Sequence, residues 1–144
     1  MKTWTLALGL LMGCSGGGTG VVVTPDDDVV GNTDQDCPLI THTPVEDAQP
    51  YGEDVFITAG ATDAESGVFI VSVYYKEETS NDWNDQQLRA VDAAGTFEGY
   101  IPGEDVQSAG MNYYIEAIDG ADNSCTLPED APDDSYHFRV YQTE

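Results

Sequence analysis

The chain has 144 residues, of which 27 are Asp or Glu and only 4 are Lys or Arg, giving a formal charge of -23. That length builds one core and no more, and that charge repels nucleic acid and anionic headgroups, so neither is expected as a direct partner. With 8 Tyr, 4 Phe and 2 Trp among many Val, Ile and Thr residues, disorder from end to end is excluded.

The chain begins with a basic Lys2 and an apolar stretch from Trp4 to Met12, too short for a membrane span of about 20 apolar residues but suited to an export signal. Leu11-Met12-Gly13-Cys14 follows, with a small residue before a cysteine. This resembles the lipobox of bacterial lipoproteins. The resemblance implies that residues 1–13 are a signal peptide and that Cys14 is acylated as the first mature residue. It also implies that the protein lives in the bacterial cell envelope, meeting the membrane through its N-terminal lipid. Ser15, in place of the Asp that favours inner-membrane retention in similar lipoproteins, points to the outer membrane.

From Cys14 to Asp36 the chain is rich in Gly, Thr and Asp and poor in large apolar residues, which predicts a flexible acidic linker. Such a linker averages roughly 25 Å end to end and reaches about 70 Å when extended. Setting Cys14 aside leaves Cys37 and Cys125. In an oxidising compartment they form a disulfide or remain as two thiols; bridged, they close a loop of about 90 residues and contribute roughly 4 to 5 kcal/mol.

Beyond Cys37, in the expected domain 37–144, short β-rich runs alternate with turn residues. Seven strands are predicted, near Leu39 to Thr43, Asp54 to Ala61, Val68 to Lys76, Gln87 to Val91, Thr96 to Ile101, Met111 to Ile118 and Ser135 to Tyr141. The breaks between them, such as Asp63-Ala64-Glu65-Ser66-Gly67 and Asp119-Gly120-Ala121-Asp122-Asn123, have turn chemistry. Alternation places Val55, Ile57 and Ala59 on one inward face, then Phe69, Val71, Val73 and Tyr75, then Tyr113, Ile115 and Ala117, then Tyr136, Phe138 and Val140. Leu88 and Phe97 complete an expected core between two sheets.

The succession His42-Thr43-Pro44-Val45, Val55-Phe56-Ile57-Thr58-Ala59, Thr62-Asp63-Ala64-Glu65-Ser66-Gly67-Val68, Val73-Tyr74-Tyr75-Lys76, Tyr100-Ile101-Pro102-Gly103 and Tyr113-Tyr114-Ile115-Glu116-Ala117-Ile118-Asp119 resembles fibronectin type III and immunoglobulin-like domains of bacterial surface proteins. The resemblance implies a seven-stranded all-β sandwich serving as spacer or binding module. The inter-sheet disulfide with a Trp packed on it is absent from the pattern. Cys37 precedes the first expected strand and Cys125 lies in the expected loop before the last, so a bridge would pin an edge or an end.

Catalytic chemistry finds little support. The only histidines, His42 and His137, lie at opposite ends of the domain sequence, with no nucleophile turn nearby. First and last strands can adjoin, bringing the two imidazoles together for a transition metal, but no third ligand is suggested. Carboxylates abound without a cleft to raise the pKa of one of them. No enzyme activity and no cofactor are therefore expected.

Two sites remain open. Calcium takes six to eight oxygens, and Asp63 with Glu65, plus Asp119, Asp122 and Asn123, can share one end of the sandwich; the competing reading is that these side chains cap their own turns. A binding face is the other candidate: the outward parity carries Tyr74, Tyr114, His137, Arg139 and Tyr141, with Ile70 and Ile118 beside them and Trp83 near the adjoining hairpin. Tyr is equally at home on a solvent face through cross-strand pairing. The expected function is a non-catalytic surface lipoprotein, a binding or structural module touching an envelope protein or a polysaccharide. The alternative is a calcium-stabilised adhesion or matrix domain.

Overall fold

A computed structural model describes residues 34–143; the expected signal peptide, Cys14 and the linker through Thr33 lie outside the described residues. Ten strands are present among them: β1 (Leu39–His42), β2 (Ala48–Pro50), β3 (Val55–Thr62), β4 (Val68–Glu77), β5 (Asn84–Gln87), β6 (Arg89–Ala90), β7 (Thr96–Ile101), β8 (Gly110–Asp119), β9 (Ser124–Leu127) and β10 (Tyr136–Tyr141). A 3-10 turn, Gly103–Asp105, follows β7. They form a β1-β3-β7-β6 sheet and a β2-β10-β8-β4-β5 sheet, with β9 also paired to β8.

Period-two patterning explains how the sheets face each other. Val55, Ile57, Ala59 and Ala61 on β3 are buried, as are Val71, Val73 and Tyr75 on β4 and Tyr113, Ile115 and Ala117 on β8. Their intervening neighbours point outward. Both inner faces enter one cluster with Phe138, Leu88, Ile101 and Met111, while Phe97, Tyr136 and Val140 pack against it partly exposed. Each fully buried Val, Ile or Phe contributes about 1.5–3 kcal/mol of transfer free energy, making this interior the main source of stability.

The fold departs from the expected strands and faces in several places, among them the unexpected strand β2. Phe69 was expected inside but is 68% exposed, because the register shifts between Val68 and Ile70. The extra residue of that bulge turns outward, and Val68 packs on the core instead. The expected strand Gln87 to Val91 is two strands in different sheets: β5 pairs β4, β6 pairs β7, and Leu88 makes the crossing with its side chain in the core and its N–H on the Val71 carbonyl at 2.8 Å. Cys125, expected in a loop, lies on β9, which pairs with β8 through Ala117↔Cys125.

The disulfide between Cys37 and Cys125 joins the segment leading into β1 to a strand of the other sheet, with Cα atoms 5.5 Å apart. Strand β2 runs parallel to β10, and its Pro50, which lacks an N–H, is tolerated because β2 is an edge strand.

Candidate functional site

The interior polar groups satisfy one another. The Tyr113 ring is fully buried, and its hydroxyl lies 3.0 Å from the backbone N–H of Val45 and 3.0 Å from His42 Nε2. His42 Nδ1 lies 2.7 Å from the Thr58 carbonyl. A carbonyl only accepts, so Nδ1 carries the ring proton; the Tyr113 hydroxyl then donates to Nε2 and accepts from Val45. Burial lowers the His42 pKa against the opposing Thr58 bond, keeping the neutral ring that this network needs. Burial likewise pushes Tyr113 up to about 12, against the Val45 N–H, which lowers it. Tyr136 lies over His42 and Tyr113, at 5.3 and 5.2 Å between centroids.

His137 faces the other way, 3.8 Å from Glu78 on the outer face, so the two imidazoles do not form a metal pair. Tyr75, whose ring is buried, donates to Asp105 Oδ2 at 2.8 Å in the 3-10 turn.

The two acidic loops do share one end of the sandwich, tied by the Gly120 N–H to the Gly67 carbonyl at 2.9 Å. Asp63 Oδ1 accepts from the N–H groups of Glu65, Ser66 and Gly67 at 3.2, 2.8 and 2.6 Å. Asp119, fully buried, accepts from Ala121 and Asn123 N–H on Oδ1 and from Asn123 Nδ2 on Oδ2. Burial pushes the Asp119 carboxyl up, but the bonds from Asn123, Ala121 and Ser66 outweigh it and hold its pKa below the usual range. Asn123 Nδ2 also reaches the Asp34 and Asp36 carbonyls, so the chain from Asp34 belongs to the same end. Asp119 and Asn123 are thus spent on turn geometry, and Asp122 is exposed at φ 70°. Asp63 and Glu65 instead converge with Asp34, each offering an oxygen within 4.8 Å of the others. Asp34 falls in the segment expected to be linker, outside the expected calcium set.

On the outer face of the six-stranded sheet, Tyr74 and Tyr114 are cross-strand partners. Their rings stack with centroids 4.9 Å apart and planes at 5°, and Trp83 meets Tyr114 edge-on at 4.9 Å. Lys76, two residues along β4 from Tyr74, places Nζ 5.2 Å from the Trp83 centroid and donates to the Ser80 carbonyl at 2.7 Å. Burial, then a hydrogen bond to Glu116 and the charges of Glu116 and Asp85, push Tyr74 up to about 12. Lys76 was missed because a lysine on a strand reads as ordinary solvent cover; its parity with Tyr74 was the available signal.

The other expected members of this face stand apart from the aromatic group. His137 lies opposite Asn112, and Arg139, opposite Gly110, pairs with Asp47. Tyr141, 47% exposed, lies six residues along β10 from the position facing Tyr114, about 20 Å away.

No family model and no curated protein matches the sequence. Among solved structures the fold is similar to part of an endo-beta-1,4-mannanase from Thermotoga petrophila, at 12% identity and a TM-score of 0.51, over 78% of this chain and 22% of that one. A beta-glucosidase from Listeria innocua, in complex with isofagomine, is similar at 12% identity and a TM-score of 0.42, over 74% of this chain and 16% of that one. The chain spans about a fifth of the length of these enzymes or less, and at 12% identity the likeness to the mannanase is one of fold alone.

Proposed function

We propose that the chain is a non-catalytic binding or structural module of the bacterial cell envelope, an immunoglobulin-like sandwich held at the outer membrane by a lipid on Cys14 and an acidic linker. The strand order supports the fold part of this reading. A β1-β3-β7-β6 sheet against β10-β8-β4 follows the four-plus-three arrangement of immunoglobulin domains, with β5 added beside β4 and β2 beside β10.

The observation that carries the functional part is the mutual packing of Tyr74, Tyr114, Trp83 and Lys76 on a half-exposed sheet face. Rings that already hold one another lose little rotamer freedom on association, and Tyr and Trp dominate the energetics of interfaces. The stack covers one face of each tyrosine, and the patch offers hydroxyls, ring edges and one ammonium group held in a fixed arrangement. The partner is an envelope protein or a polysaccharide. Cross-linking in cells, read by mass spectrometry, tests it: Tyr74→Ala with Tyr114→Ala should remove the cross-linked species, and unchanged cross-links would sink the face assignment. Intact mass under non-reducing conditions reports the lipid on Cys14 directly.

A second reading, a calcium-stabilised adhesion or matrix domain, draws on the convergence of Asp34, Asp63 and Glu65. With one oxygen from each, the three carboxylates fall short of six to eight oxygens unless they bind bidentately or water completes the shell, and Asp63 Oδ1 already serves its own turn. A rise in Tm on calcium addition that disappears in Glu65→Ala would favour this reading.

A further inference from the structure

The outer face of the four-stranded sheet carries a different surface. Register sets Phe56 opposite Tyr100, Thr58 opposite Glu98 and Gly60 opposite Thr96. Thr41 flanks Gly60 from β1, and Arg89 flanks Glu98 from β6. Phe56 is 60% exposed and Tyr100 48%. Unlike Tyr74 and Tyr114, neither ring contacts another aromatic among the described residues.

Gly60 leaves room for its β1 neighbour: a Cβ there would collide with Thr41 Oγ1. Beside the two lies an open groove of about 820 Å³ that includes Phe56, Thr58, Thr41 and Thr96. A second groove of about 340 Å³, on the side of Gln87, Arg89 and Glu98, includes Phe56 and Tyr100. Phe56 is the wall common to both.

We propose that this face is a binding site for a neutral polysaccharide, its chain lying along the groove with one sugar ring against Phe56 or Tyr100. The proposal rests on the reading of the chain as a binding module and adds a second site and a ligand class. An uncovered aromatic ring presents an apolar surface to the apolar face of a pyranose, and the hydroxyls of Thr41 and Thr58 with the Gln87 amide offer both donors and acceptors to sugar hydroxyls. A polyanion is excluded by the charge of -23, and a second copy of the chain carries that same charge.

The test is native affinity electrophoresis of the full-length protein in gels containing galactomannan, hydroxyethylcellulose or alginate. Retardation by a neutral polymer and none by alginate is expected, with at least a tenfold weakening in Phe56→Ala/Tyr100→Ala and none in Tyr74→Ala/Tyr114→Ala. Both aromatic residues are exposed, so the double variant should keep the wild-type Tm. Retardation that survives Phe56→Ala/Tyr100→Ala, or that is lost only in Tyr74→Ala/Tyr114→Ala, overturns this site while leaving the binding-module reading intact. No retardation by either neutral polymer overturns the ligand class, and the cross-linking result then judges the module reading separately.

Discussion

Replacing Tyr113 by Phe removes one oxygen atom from the middle of the sandwich and leaves the ring in place. Two groups lose their partner: the Val45 N–H and His42 Nε2, each 3.0 Å from that oxygen. A buried polar group left without a partner costs about 1–3 kcal/mol. Val45 and His42 are only partly buried, so the lower end applies to each, and the sum is about 2 kcal/mol. At about 2.1 cal/mol/K per residue of unfolding entropy, a unit of about 110 residues should melt roughly 9 °C lower. Urea unfolding followed by Trp fluorescence should show a lower midpoint with an unchanged slope. Adding His42→Phe tests the attribution: the double variant should cost less than the two singles summed, by about 1 kcal/mol. A Tyr113→Phe loss under about 0.5 kcal/mol, or strict additivity with His42→Phe, would refute the network as a stabilising element.

Three further outcomes follow from the same framework. His42 has a folded pKa below its ordinary 6.5, so the unfolded chain binds the proton more tightly; stability should fall as pH drops below about 6.5 and this component should level off below the folded pKa. In His42→Gln that component should vanish, as read from urea midpoints between pH 7.5 and 5. Breaking the Cys37–Cys125 bridge, which spans a sequence separation of 88, should cost up to about 4.5 kcal/mol in the chain-entropy model, and an unchanged urea midpoint in dithiothreitol would rule that contribution out. Gly103→Ala should cost about 1–3 kcal/mol, because the new Cβ would meet the Gly52 carbonyl oxygen and lie 2.8 Å from the Glu53 carbonyl carbon, both of them backbone; a wild-type Tm would show that this turn yields freely.

What the sequence discloses about the fold is what period-two alternation can carry. Val55, Ile57 and Ala59, or Tyr113, Ile115 and Ala117, identify themselves because one register holds along the whole strand. Phe69 misleads because a one-residue bulge inverts parity locally, and no composition marks the spot. Strands β2 and β5 escape because Ala48-Gln49-Pro50 and Asn84-Asp85-Gln86-Gln87 are edge segments, and pairing with β10 and β4 makes them strands where their own side chains do not. The aromatic face was legible in part: parity finds Tyr74 and Tyr114, but only the register makes them direct partners. Parity also leaves Phe56 and Tyr100 outside the core, but it took the grooves on either side of Phe56 to give that pair a shape.

The Cys37–Cys125 bridge has a mechanical consequence. Tension applied through the residues preceding Asp34 would, without the bridge, arrive at β1, an edge strand of four residues that could be peeled from β3 one bond at a time. With the bridge, the pull divides at Cys37, and part of it passes through the sulfur atoms into β9 and on to β8, which is flanked by β4 on one side and by β9 and β10 on the other. Several strands then resist as a block. Under steady pulling, where survival is set by the unfolding rate, the oxidised module should hold at forces that unzip the reduced one.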